Sequence, residues 1–124
     1  MKVKISIGEV VDKASILHIK KDRISDPEKL LNISKEYEYL IDVLSRIGID
    51  SNSQSYIDLL DVNTKLWDIE EAIRDKERRK EFDEEFISIA RSVYMLNDER
   101  AVIKKNICIA FESEFIEEKS YEKY

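Results

Sequence analysis

The chain has 124 residues, 43% of them hydrophobic and 39% charged, with two glycines and one proline. That is enough apolar material for one core without staples, and the scarcity of turn-formers favours long helices over sheets. Acidic residues outnumber basic ones by 27 to 21, for a net charge of −6, which excludes a general affinity for nucleic acid, since a phosphate-binding surface needs clustered Lys and Arg.

The most basic stretch, Arg74 to Lys80, is interleaved with Asp75 and Glu77 and reads as a salt-bridged solvated face. Cys108 is the only cysteine, so no intramolecular disulfide forms, and one Cys with one His cannot build the usual zinc site within a chain. Its apolar surroundings suit an inert buried thiol. No apolar run approaches the roughly 18 residues of a membrane span, and the N-terminus lacks a signal peptide's apolar core. The expected compartment is the cytoplasm, with neither membrane nor nucleic acid as partner.

Residues 1–7 alternate Lys2, Lys4 and Ser6 with Val3, Ile5 and Ile7, a strand-like pattern. In a helical chain this predicts an extended arm that lies on the helices, pairs with a C-terminal segment, or pairs with another subunit. Gly8 then marks the turn into a first helix from Glu9 to about Arg23. Val10, Ala14, Leu17 and Ile24 share one face of it, widened by Val11, Ile16 and Ile19, with His18 at the boundary. Ser25 and Glu28 have capping-box spacing around Asp26 and Pro27. They open a second helix that runs to Ile47, where Gly48 supplies a left-handed cap. Its seam is Leu30, Ile33, Tyr37, Leu40, Leu44 and Ile47.

Residues 50–55, rich in Ser and Asn, form the next loop. A third helix carries Leu59, Val62, Leu66, Ile69 and Ile73 at three- and four-residue steps, and the break before the last helix falls between Arg74 and Glu81. The fourth helix has the longest seam: Phe82, Phe86, Ile89, Val93, Leu96, Ile103, Ile107 and Ala110. Arg100 interrupts it. A lone charge buried there would cost several kcal/mol, so Arg100 must be paired or reach a cavity. Residues 112–124 form a charged tail. The expectation is a single all-α domain, a four-helix antiparallel bundle of long helices with an extended N-terminal arm.

Glycine-rich phosphate loops, paired histidines and a Ser-His-Asp set are all missing from the sequence. Polar residues gather instead in three groups: Asn97, Asp98, Arg100 and Lys104 on the fourth helix; Asn63, Trp67, Glu70, Arg74 and Glu77 on the third; Glu9, Asp12 and Lys13 on the first. Converging, they would make a polar pocket with a tryptophan wall. Otherwise they are interhelical ion pairs and a solvated face, with Glu70 and Arg74 as an ordinary i,i+4 pair. Glu9 with Asp12, Asp68 with Glu71, and Glu81 with Glu84 have the spacing by which all-helical nucleotide pyrophosphatases hold magnesium. In so acidic a chain such pairs arise by chance, so no cofactor is expected and Mg²⁺ is the alternative.

Several stretches resemble one family. They are Ile5-Ser6-Ile7-Gly8-Glu9-Val10-Val11-Asp12-Lys13 with Ile16-Leu17 and Ile19-Lys20, Leu66-Trp67-Asp68-Ile69-Glu70, Ala90-Arg91-Ser92-Val93-Tyr94, Asn97-Asp98-Glu99-Arg100-Ala101, and Glu117-Glu118-Lys119-Ser120-Tyr121. Together they resemble a bacterial and phage domain of unknown function, number 6165 in the usual series. Members often carry Gly-Ser where this chain has Glu112-Ser113. The resemblance implies a stand-alone helical domain and assigns no activity, cofactor or catalytic residue. It places Glu9, Asp12, Lys13, Trp67, Glu70, Asn97, Asp98 and Arg100 in its motifs. The long seams and the arm's open edge point to a homodimer or larger assembly, hence an interaction or scaffold protein. The second reading is an enzyme or small-anion binder using the Arg100 cluster.

Overall fold

A computed structural model describes residues 3–111. Four helices follow one another: α1 (Ile7–Arg23), α2 (Pro27–Ser45), α3 (Gln54–Arg79) and α4 (Glu84–Ala110). They form an all-α four-helix bundle, with no strand among the described residues. Residues 3–6 are neither helix nor strand, and Val3 and Ile5 are exposed. The rest of the arm and the charged tail, residues 1–2 and 112–124, lie outside the described residues. Among the described residues, no helix is long and apolar enough to cross a membrane.

The helix starts follow from short polar side chains that accept from otherwise unpaired backbone N–H groups. Ser6 accepts from the Glu9 N–H at 3.2 Å, Asp26 from Glu28 at 3.0 Å and Asp83 from Phe86 at 2.9 Å. Two sequence expectations are corrected here. The cap of α2 is Asp26 rather than Ser25, because a proline at the first helical position makes its immediate predecessor the cap. Gly8 is not a turn residue: it lies inside α1 and is buried.

The end of α2 bears out the left-handed Gly48 but corrects the reach of the helix, which stops at Ser45 rather than Ile47. Gly48 takes a left-handed φ of 83°, and the Ile49 N–H then bonds back to the Leu44 carbonyl at 3.0 Å. This reversal tucks Ile49 into the core, fully buried, and leaves Ile47 at 42% exposure.

Helix α1 is central. It packs against α2, α3 and α4, while α3 and α4 pack along each other. The core joins Val11 and Ala14 of α1 to Leu44, Ile49, Tyr56, Leu59, Val62 and Ile107. The α2 helix lies on α1 and reaches α3 through side chains. His18 Nδ1 lies 2.8 Å from the Tyr56 hydroxyl, which lies 3.1 Å from that of Tyr37.

At 1.5 Å per residue, the 17 residues of α1 span about 25 Å and the 26 and 27 residues of α3 and α4 about 40 Å. Helix α1 ends where Arg23 pairs with Asp68, so α3 and α4 run on past it as a two-helix hairpin. The α4 seam is therefore covered unevenly. Leu96, Ile103 and Ile107 meet the core, whereas Phe82 is 56% exposed and packs edge-to-face on Phe86. Ala110, at the other end, is exposed. Near the hairpin turn the buried contact is ionic: Lys76 reaches Asp83 at 3.0 Å and Glu85 at 3.3 Å.

Candidate functional site

The site begins at Gly8. A Cβ there would stand 2.6 Å from the Lys104 carbonyl oxygen and 3.0 Å from Cys108 Sγ, so only glycine allows α1 this close to the α4 backbone. One turn on, Asp12 comes under Arg100. The guanidinium donates to both carboxylate oxygens, from Nε to Oδ1 at 2.8 Å and from Nη2 to Oδ2. Such a two-pronged ionic contact is strong and directional. Asp12 is only 3% exposed, and α3 supplies its remaining support: Asn63 Nδ2 donates to Asp12 Oδ1 and to Ser15 Oγ, both at 2.9 Å. Along α4, Lys104 pairs with Glu9. Among the described residues, every buried side-chain polar atom has a partner.

Beside this network lies a cleft of about 180 Å³ between α1, α3 and α4. Ile16, Ile19 and Leu66 give it apolar walls, and Trp67, Glu70, Asn63, Asn97 and Arg100 its polar edge. The Trp67 indole N–H donates to Glu71 at 2.9 Å, which fixes one edge of the ring.

Of the residues singled out from sequence, Asn63, Trp67, Glu70, Asn97 and Arg100 thus meet in one cleft. Asp12 stands behind Arg100, and Glu9 with Lys104 a turn away. Four do not join them, among them Glu77, which is exposed on α3 and lines no part of the cleft. Lys13 turns outward to Glu36 of α2 at 3.0 Å. Arg74 lines a separate groove with Asp68, Glu71, Asp75 and Arg78. Asp98 is half-buried and lines no part of the cleft. The expected Glu70–Arg74 pair is not made: Glu70 edges the cleft, while Arg74 lines the groove beside Asp68, Glu71 and Asp75.

Four of the six carboxylates considered for magnesium face cations: Glu9 meets Lys104, Asp12 meets Arg100, Asp68 meets Arg23, and Glu81 meets Arg79; a fifth, Glu71, accepts from the Trp67 indole. No group of three or more candidate ligands gathers among the described residues. Asp12 holds Arg100 by Nε and Nη2, while Nη1 lies 3.5 Å from Asn97 Oδ1 at the edge of the cleft.

Sequence reasoning passed over Tyr56, the largest fully buried side chain among the described residues. The signal was present, since Tyr56 is one more three-residue step back from Leu59 along the α3 seam. Also missed was a second stripe on α4, opposite its core seam. Ile87, Tyr94, Met95, Val102 and Ile109 are exposed there by 55, 40, 38, 58 and 57%. Arg91, Asp98 and Lys105 fall between them on the same face.

The geometry defines a class: an all-α bundle organised around a central first helix, with a satisfied ionic network beside a small cleft. The chain belongs to the family of unknown function DUF6165, whose family model matches residues 1–124. No curated protein and no solved structure matches it.

Proposed function

We propose that the protein is a helical interaction module that works as a homodimer, joined through the outer face of α4. The observation that carries this reading is the exposed stripe of Ile87, Tyr94, Met95, Val102 and Ile109 along one helix. Single exposed apolar residues are ordinary, as Leu31 and Tyr39 on α2 are, but a contiguous row on one face needs a partner.

The charges within the stripe favour a second copy in one orientation. A parallel, in-register pair would set Arg91 on Arg91, Asp98 on Asp98 and Lys105 on Lys105. An antiparallel pair whose two-fold axis falls between Tyr94 and Met95 sets Arg91 against Asp98, Glu84 against Lys105 and Ile87 against Val102. This self-complementary pattern is what an isologous interface requires.

Light scattering behind size exclusion, at tens of micromolar, should read twice the 14.7 kDa chain mass. Arg91→Asp and Asp98→Arg should each give monomer, and the double swap should restore dimer. A monomeric wild type, or swaps without effect, refutes the reading.

A further inference from the structure

We infer that the cleft between α1, α3 and α4 binds a small organic cation, an amine or quaternary ammonium group, between Trp67 and Glu70. Among the described residues, two ionisable side chains line the cleft, Glu70 and Arg100. The charge of Arg100 is already met by Asp12 through two hydrogen bonds, so the fixed charge left facing the cleft is the carboxylate of Glu70. Glu70 has no hydrogen-bond or ion-pair partner among the described residues, unlike Glu71 beside it, which holds the indole.

The opposite element of recognition is Trp67, the strongest of the aromatic side chains in attracting a cation to its ring. Its N–H is committed to Glu71, so the ring is held in place before any ligand arrives, and little ordering is left for binding to impose. Ile16, Ile19 and Leu66 suit the alkyl groups of an ammonium ion. The volume of about 180 Å³ is below the roughly 300 Å³ at which drug-sized sites begin, which restricts the ligand to a compact head group. The proposed dimer stripe lies on the opposite face of α4, so the two readings stand independently.

Trp67 is the only tryptophan, so its emission reports on the cleft directly. The full chain is titrated with tetramethylammonium chloride, sodium chloride and sodium acetate at matched ionic strength. The expected result is a saturable change with tetramethylammonium alone, weakened about tenfold or more in Glu70→Gln, the scale of one lost ionic contact. Glu70 is exposed, so the variant should keep the wild-type urea midpoint. A flat tetramethylammonium titration overturns the inference. So does equal affinity in a folded Glu70→Gln, or a saturable response to acetate, which would place an anion in the cleft instead.

Discussion

Asp12 carries a full charge at 3% exposure, and what makes that tolerable is a guanidinium reaching it from a residue 88 positions away. Removing the cation strands the carboxylate. Arg100→Leu should lower the urea midpoint and cost about 2–4 kcal/mol, somewhat under the loss of a fully buried pair because Arg100 keeps partial contact with water. The double variant Asp12→Ala, Arg100→Leu should lose less than the sum of the single changes. Tyr56 governs another part of the pH range. Burial, and then its bond to Tyr37, push its hydroxyl well above the ordinary value of 10.0. Its folded pKa is raised, so its contribution is complete below about pH 10 and is lost as pH climbs beyond. Wild-type stability should therefore fall on the alkaline side of pH 10, and Tyr56→Phe should flatten that limb; an unchanged slope in urea melts would refute the assignment. The need for a partner at Arg100 was legible from its place in an apolar seam. That the partner is Asp12 was not, because helical periodicity ranks residues within one helix and is blind to which acid of another helix lies opposite.

The contact of α1 with α4 depends on a missing side chain. In Gly8→Ala the new methyl would press on the Lys104 carbonyl, a backbone atom that cannot swing aside. The gain in helix propensity, about 1 kcal/mol, is outweighed by overpacking of roughly 1–3 kcal/mol. The expected outcome is a lower urea midpoint together with faster labelling of buried Cys108 by a thiol reagent. Labelling at the wild-type rate would show that the helices absorb the methyl without parting. The four helices themselves were legible, since the three- and four-residue steps continue through each of them. Which part of each seam is covered was not. Phe82 and Phe86 follow the same spacing as Leu96 and Ile103 but sit past the end of α1, and coverage depends on the relative lengths of helices that are distant in sequence. Gly8 was misread for a related reason: a glycine kept for close approach looks, in sequence, like one kept for a turn.

As a whole the molecule is arranged around its first helix, while its last helix faces inward and outward at once. The inner face of α4 completes the Asp12 network and one wall of the cleft; its outer face carries the exposed apolar stripe with Arg91 and Asp98 between its members. If the dimer forms as proposed, its midpoint of unfolding should rise with protein concentration, and Arg91→Asp should abolish that dependence. The central position of α1 also has a consequence for how the chain comes into being. Helix α1 leaves the ribosome before any of its partners, and Arg100 follows Asp12 by 88 residues. Until then Asp12 has no guanidinium to meet it, and the Gly8 groove has no backbone to receive. Helices α2 and α3 can gather on α1 during synthesis, but the ionic lock cannot engage before α4 emerges, so the growing chain stays open to capture by chaperones until the core closes in one late step.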